Sequence, residues 1–278
     1  MAKRWRLHEA SSLADVGCGL CHWSRLLYPY LRQPARFAGI DREEHWILEG
    51  GTRFRRAFPE AASDLLTFSV ADANKIPLPA NSFEVVTCQT LLMHLEQPAE
   101  ALREMVRVVR PGGVLICVEP NNLWNYMAFT SLTASEPVEL LTRRFEFWLR
   151  YHRGKKVEGR GDHSIGDLLP GLFQEAGLEE IRVHLSDRAA SLYPPYDSPA
   201  QQTTTKQERV WRESGKGPWD PAEVRRQVMR GGGTEELFNS VFPELGLKFD
   251  QEQQAIKAGK FHAAFGGLFY LVSGRKRA

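Results

Sequence analysis

Apolar residues recur along the first 120 positions in two alternating rhythms: short continuous runs, and longer stretches spaced by three and four. Leu13-Ala14-Asp15-Val16 is a short run that predicts a strand, ending at Gly17-Cys18-Gly19-Leu20-Cys21. Beyond that turn Trp23, Leu26, Leu27, Tyr30 and Leu31 share one helical face, and Pro29 predicts a kink or an early end. Arg36 to Asp41 reads as a second strand, followed from about Glu43 by a helix with Trp46, Ile47, Phe54 and Phe58 inward. Thr67 to Asp72 and Phe83 to Gln89 are strands three and four, and the next helix carries Leu102, Met105, Val106 and Val109. After a turn at Pro111-Gly112-Gly113, Val114 to Glu119 is continuously apolar, as a strand covered on both faces must be. Strands alternating with helices predict an α/β fold, a Rossmann-like doubly wound parallel sheet.

From Pro120 the rhythm breaks, and Trp124, Tyr126, Phe129, Phe145, Phe147, Trp148 and Tyr151 mix with polar residues up to a charged, Gly-rich run at 154–162. The core pattern resumes at Ser164, with Ile165, Leu168, Leu169, Leu172, Phe173 and Ala176 inward and Gly177 as the stop. Ile181, Val183 and Leu185 alternate as strand six, and Gly267 to Ser273 is the last strand. Between them, Asp220-Pro221-Ala222-Glu223 starts a helix that Gly231 to Gly233 stop. The expected organisation is a core of 1–120 with 163–187 and 263–278, interrupted by helical insertions at 121–162 and 188–262 that form a substrate lid.

The chain has 278 residues, 42% apolar and 25% charged, which excludes a disordered or fibrous protein. Thirty-six Lys and Arg against 34 Asp and Glu leave +2, so no global field recruits nucleic acid or an anionic membrane. No window approaches the ~20 apolar residues of a membrane span, and the basic start lacks the apolar segment of a secretory signal. A soluble cytoplasmic protein is expected. Four cysteines form no disulfide framework, and Cys88 and Cys117 lie in apolar runs.

A glycine-rich turn between the first strand and helix lets backbone approach a ligand, a device shared by NAD, FAD and S-adenosylmethionine sites. Its flanks discriminate. The sixth position counted from Gly17 is His22, where a dinucleotide fingerprint has Gly or Ala. Asp15 would repel a pyrophosphate but attract a ligand carrying an ammonium and a sulfonium. Asp41 is placed to take two ribose hydroxyls, and Asp72, between Ala71 and Ala73, to accept from an adenine amine. Three acids at the carboxyl ends of three neighbouring strands share one crevice.

These segments resemble the class I S-adenosylmethionine-dependent methyltransferases of small-molecule type. The resemblance rests on Asp15-Val16-Gly17-Cys18-Gly19, Gly39-Ile40-Asp41, Ala71-Asp72-Ala73, Ser82 to Val86, and Leu102 to Gly113. It implies a mostly parallel sheet with an antiparallel last strand, methyl transfer, and S-adenosyl-L-methionine as cofactor with S-adenosyl-L-homocysteine as product. The implied cofactor contacts are Asp15, Gly17, Cys18, Gly19, Asp41, Arg42, Ala71, Asp72, Ala73, Gln89 and Thr90. Two departures stand out: Cys21 replaces the third glycine, and the segment before the first strand is short where relatives carry a helix over the methionine end. Trp5, Arg6 or His8 are candidates to substitute for that helix.

Several residues admit two readings. Cys18 and Cys21 form C-x-x-C without a second pair, so no metal is expected. His94 is either a general base or a locally packed histidine. Glu119 points to the crevice mouth or caps the amides of Asn121 or Asn122. Trp124, Tyr126, His163 and Tyr193 are candidate substrate contacts; the alternatives are an insertion core, a solvated loop and, at Tyr193-Pro194-Pro195-Tyr196, a turn. The leading expectation is in-line methyl transfer to a small molecule, with no membrane partner, nucleic acid disfavoured and oligomeric state open. The alternatives are a catalytically silent S-adenosylmethionine-binding regulatory subunit, or an RNA or protein acceptor engaged through Arg209 to Arg230 and the basic tail Arg275-Lys276-Arg277.

Overall fold

The computed structural model of the chain describes residues 1–187, 189–213 and 220–278, the side chains at 207–213 and 265 excepted. Two units emerge, one of 1–120, 164–186 and 269–278, the other of 121–163 and 187–268. Elements of the first are β1 (Ser12–Val16), α1 (His22–Leu27), β2 (Arg36–Asp41), α2 (Glu44–Ala57), β3 (Leu66–Val70), β4 (Phe83–Gln89), α3 (Pro98–Val108) and β5 (Val109–Asn121). The second starts with α4 (Val138–Val157), after which α5 (Leu169–Glu175) and β6 (Leu178–Leu185) return to the first. The second unit continues with β7 (Ala190–Leu192), α6 (Pro199–Glu213), α7 (Pro221–Arg230), α8 (Glu235–Lys257) and β8 (Ala263–Phe265), and β9 (Leu268–Lys276) closes the first.

Seven strands form one sheet in the order β3-β2-β1-β4-β5-β9-β6. The pairs β1–β2, β1–β4, β2–β3 and β4–β5 are parallel, and β9 runs antiparallel to β6. The central strands β1, β4 and β5 are apolar on both faces, with the period of two that a pleated strand imposes, whereas the edge strands β3 and β6 are largely exposed. Ala14, Val16, Val86, Cys88, Leu115 and Cys117 pack on the layer that contains Leu102, Met105 and Phe173. Leu13, Val85, Ile116 and Val118 pack on Leu27, Tyr28, Ile47 and Phe54.

Departures from the expected pattern have local causes. At Pro29 the first helix gives way to a 3₁₀ turn over Tyr28–Tyr30, and the tighter winding rotates the inner face. Leu27, Tyr28 and Leu31 are buried, whereas Leu26 and Tyr30 face solvent. On α2 the inner face is Ile47, Gly50, Gly51 and Phe54, and Trp46 is turned outward. β3 stops at Val70, so Asp72 lies in the turn beyond it. The Pro111-Gly112-Gly113 segment stays inside β5 as an irregularity, the pairing jumping from Phe83–Val109 to Val85–Val114. A 3₁₀ turn at Ile165–Leu168 precedes α5, which leaves Leu168 exposed. The basic tail is not free: Lys276 Nζ donates to the Val106 and Val109 carbonyls at 2.7 and 2.9 Å, closing the end of α3, and Arg275 donates to the Gly112 carbonyl at 2.9 Å.

In the second unit α4, α7 and α8 pack around Phe147, Trp148, Tyr151, Val224, Val228 and Phe238. Glycines permit the close approach of α4 and α7: a Cβ at Gly154 would overlap the Gln227 carbonyl, and one at Gly231 the Arg150 carbonyl. Asp220 and Thr234 cap α7 and α8, accepting from the Glu223 and Leu237 amides at 2.8 and 3.1 Å. β7 and β8 form an antiparallel ribbon. Among the described residues no helix is long and apolar enough to cross a membrane.

Candidate functional site

The strand order reverses between β1 and β4, and in an open α/β sheet the carboxyl ends of strands at such a reversal border a ligand crevice. The loop after β1 is shaped by left-handed backbone at Gly17, Gly19 and Cys21, with φ of 69°, 49° and 56°. The Cys18 amide donates to the Ile40 carbonyl at 2.9 Å, which ties the loop to β2. Gly17 is required twice over, since a Cβ there would sit 2.8 Å from Leu91 Cδ1. A Cβ at Gly50 of α2 would overlap the Gly19 carbonyl oxygen, so the second helix also presses on this loop.

Asp41 grips the loop directly. Its Oδ2 accepts from the Gly19 amide at 2.9 Å, and its Oδ1 from the Glu43 amide at 3.0 Å at the start of α2. Arg42 is turned to Glu43 at 3.0 Å. Asp72 is exposed, and its Oδ1 accepts from the Asn74 amide at 2.7 Å in an Asx turn that leaves Ala71 half-buried and Ala73 buried.

Asp15 is only 1% exposed, and neither of its carboxylate oxygens has a hydrogen-bond partner among the described residues. Burial pushes its carboxyl up to about 7; the Ser24 hydroxyl and amide lie near enough to pull slightly the other way but are not in hydrogen-bond geometry with it, and Asp41 adds a further upward push. Gln89 Oε1, at the carboxyl end of the neighbouring β4, is likewise buried without a partner. Leaving such acceptors unmet costs about 1–3 kcal/mol each. Donor-rich or cationic groups of a ligand in the crevice would remove that cost, so the residues present fit a cofactor carrying an ammonium and a sulfonium.

The segment after β4 is held by a residue whose expected role is overturned. Glu119 is fully buried and accepts from the amides of Leu91, Leu92 and Met93 at 2.9, 2.8 and 3.3 Å, while the Asn122 amide donates to the His163 carbonyl. Burial raises its carboxyl to about 7, the three amides pulling the other way. Thr90, at φ 50°, donates from its hydroxyl to the Gln89 carbonyl at 2.8 Å, and its amide donates to the Val118 carbonyl. His94 lies exposed at the end of the 3₁₀ turn that Glu119 caps.

Cys18 and Cys21 are both buried, and the neighbouring Cys21 thiol together with burial pushes Cys18 up, away from thiolate chemistry. Trp5 is buried with its ring edge-on to Trp23 at 6.3 Å, and Arg6 pairs with Glu9 at 2.8 Å, as His8 does at 3.6 Å. These residues precede β1, and Trp5 packs there against the first helix while Arg6 and His8 lie beside Glu9.

Two of the four substrate candidates meet inside the second unit. Tyr126 stacks on Trp148 at 4.1 Å, His152 Nε2 lies 3.4 Å from the Tyr126 hydroxyl, and the His152 and His163 rings are 5.9 Å apart. Lys155 Nζ is 3.4 Å from His163 Nδ1. Burial, with help from Lys155, lowers His152 to about 4, so it is neutral near pH 7. Trp124 sits half-exposed in a 3₁₀ turn, and Tyr193 borders a separate cavity of about 420 Å³ with Phe129, Ala134 and Leu192. Tyr193-Pro194-Pro195-Tyr196 forms a turn, closed by the Tyr196 amide on the Tyr193 carbonyl at 3.1 Å. The side chains of Arg209 and Arg212 lie outside the described residues.

Sequence reasoning missed Gly50, His152 and Lys155. For Gly50 a signal existed, paired glycines on the inner face of a helix, where each costs about 1 kcal/mol relative to Ala without a packing reason.

Residues 14–117 match the family model of a methyltransferase domain. A demethylmenaquinone methyltransferase of Listeria welshimeri is 30% identical over 117 residues, covering 42% of this chain and 48% of that protein. A demethylmenaquinone methyltransferase of Bacillus pumilus is 23% identical over 198 residues, covering 66% and 80%. The chain spans about half the length of the first curated relatives it matches. Among solved structures, the YcgJ protein of Bacillus subtilis superposes with a TM-score of 0.52 at 17% identity, covering all of this chain and 97% of that one, a likeness of fold.

Proposed function

We propose that residues 14–117, which match the family model of a methyltransferase domain, form a class I S-adenosylmethionine-dependent methyltransferase domain and that the chain methylates a small-molecule acceptor by in-line transfer. What carries the reading is the pair of unpartnered Asp15 oxygens together with Gln89 Oε1, buried at the carboxyl ends of β1 and β4 beside the glycine loop. Asp15 would hold the cationic end, Asp41 the ribose hydroxyls, Asp72 the adenine amine, and Gly17, Cys18 and Gly19 the backbone wall. Ala71 and Ala73 leave room for the ring, and Arg42, Gln89 and Thr90 complete the contacts. Bound S-adenosylmethionine supplies a methyl group on a sulfonium, already electrophilic. The chain therefore has to position and desolvate rather than activate.

Where the acceptor arrives protonated, His94 is the residue assigned to take its proton. Trp124, Tyr126, His163 and Tyr193 are the residues assigned to recognise the acceptor. The cavity beside Tyr193 is lined mainly by apolar groups, which supports an aromatic or alkyl-bearing acceptor over a polyanion. The ion pairs and hydrogen bonds of Arg275, Lys276 and Arg277 likewise favour a small molecule over RNA.

Calorimetry with S-adenosylmethionine and with NAD tests the first step. Binding of NAD without S-adenosylmethionine ends the reading. Methyl-labelled cofactor incubated with demethylmenaquinol and a panel of small phenols and amines tests the second. Label in any product contradicts a purely regulatory role, and label confined to RNA or protein overturns the small-molecule assignment.

A further inference from the structure

A second polar cavity of about 120 Å³ lies in the first unit, away from the crevice. Val114 of β5 borders it and pairs with Val85, four positions before Gln89 on β4, so the cavity lies toward the amino ends of the strands. Four guanidinium side chains border it, those of Arg4, Arg6, Arg182 and Arg275, against one carboxylate, Glu180. Register explains the convergence: Arg182 of β6 pairs with Ser273 of β9, and Arg275 follows two positions on, with its side chain on the same face.

Some of this charge is answered within the chain. Arg6 pairs with Glu9, Arg275 lies 3.7 Å from Glu180, and Arg4 Nη1 is 3.1 Å from His184 Nδ1. Arg277 and Glu179 pair nearby at 3.4 Å. With Glu9 and Glu180 set against the four arginines an excess of two positive charges remains, and Trp5, which borders the same cavity, has a buried indole Nε1 with no acceptor among the described residues. Arginine forks, an indole N–H and the Ser273 hydroxyl are the donors that a compact tetrahedral oxyanion uses, several acceptors being presented from one small volume.

We propose that this cavity is a binding site for a single phosphate group, separate from the methyl-transfer crevice. Its volume admits one phosphate and excludes a nucleic-acid backbone, so the ligand is inorganic phosphate or the terminal group of a small monoester. Arg182 and Arg4 would supply the charge-assisted hydrogen bonds and Trp5 Nε1 a neutral one.

The test uses the full chain at constant ionic strength, with chloride as the reference salt. Inorganic phosphate and glycerol phosphate are titrated separately while melting temperature and tryptophan fluorescence are followed, which distinguishes the free ion from a monoester. A saturable rise in melting temperature is expected with one or both. Arg182→Ala, at an exposed position, should weaken it at least tenfold, and Trp5→Phe should remove most of the fluorescence response. The same titrations with S-adenosylmethionine present should give unchanged affinity. No saturable response to either compound overturns the proposal, and so does a response that survives in the Arg4→Ala/Arg182→Ala double variant.

Discussion

The Gly19 amide and the Asp41 carboxylate are joined at 2.9 Å, so the residue best placed for the ribose also holds the glycine loop against the start of β2's following helix. Under the proposed function Asp41 would hold the loop and the ribose at once. Asp41→Ala should lose two ribose contacts worth about 1.5–3 kcal/mol each, and S-adenosylmethionine affinity should drop by roughly a hundredfold or more. It should also lower stability by about 1 kcal/mol, because the Glu43 amide loses its acceptor. Asp41→Asn keeps one acceptor oxygen and should fall between. Calorimetry and thermal melts separate the effects: a lower melting temperature with unchanged affinity would mean the crevice does not take the cofactor.

Asp15 should couple cofactor binding to pH. Its carboxyl is raised from 3.8 to about 7 in the chain without ligand, so the folded state holds a proton that the unfolded state releases. The stability linked to this group is present below about 4 and is lost as pH rises through 7. A cation in the crevice needs the carboxylate, so affinity should rise about tenfold per pH unit between 5.5 and 7 and then level off. Asp15→Asn should flatten that slope, weaken binding by at least tenfold, and raise the melting temperature of the unliganded chain at pH 8 by several degrees. Binding by the Asn variant that keeps the wild-type slope would assign the proton elsewhere.

Two adjacent glycines of α2 should behave differently. A methyl at Gly50 meets the Gly19 carbonyl, backbone that Asp41 already fixes, whereas a methyl at Gly51 meets first the end of the Arg55 side chain at 3.1 Å, which can move. Gly50→Ala should therefore displace the loop and weaken S-adenosylmethionine by tenfold or more. Gly51→Ala should bind normally and change stability by less than about 1 kcal/mol, its clash offset by better helix propensity. Equal affinities for the two variants would break the link between α2 and the loop.

Much of the first unit was readable because its strands are buried on both faces and appear as uninterrupted apolar runs. Arg36 to Asp41 and Phe83 to Gln89 coincide with β2 and β4. Errors arose where a local winding change moved the inner face, as at Pro29, or where a turn was absorbed into a strand, as at Gly112. The ribbon of β7 and β8 has three residues per strand, too short for a period to register. Asp15 and Asp41 could be picked out as charges interrupting apolar strand ends. The grip of Asp41 on Gly19 and of Glu119 on the segment after β4 could not, because backbone amides are the same at every position and their partners are set only by tertiary structure. His152 gave no signal either: its environment depends on Tyr126 and His163, which lie 26 and 11 positions away on other segments.

Glu119 offers the sharpest separation between a positioning role and a merely structural one. Leu91 and Leu92 both donate to its Oε1 and Met93 to Oε2, and Leu91 in turn packs where a side chain on Gly17 would stand. Glu119→Gln keeps the oxygen that serves Leu91 and Leu92 but sets an NH₂ against the Met93 amide. It should lose about 1–2 kcal/mol, or roughly 2–8 °C for a chain of this size, and retain S-adenosylmethionine within about fivefold. Glu119→Ala leaves three amides without an acceptor and should lose about 3 kcal/mol or more. Because the freed segment carries Gln89 and Thr90 and braces the glycine loop, its affinity for the cofactor should fall by more than tenfold even well below the lowered melting temperature. Glu119 is raised from 4.5 to about 7. Its linked stability is accordingly greatest below about 4.5 and declines as pH rises through 7, a slope that Glu119→Gln should abolish. If the Ala variant melts early yet binds S-adenosylmethionine as tightly as the parent, Glu119 serves the fold alone and the segment after β4 has no part in the site.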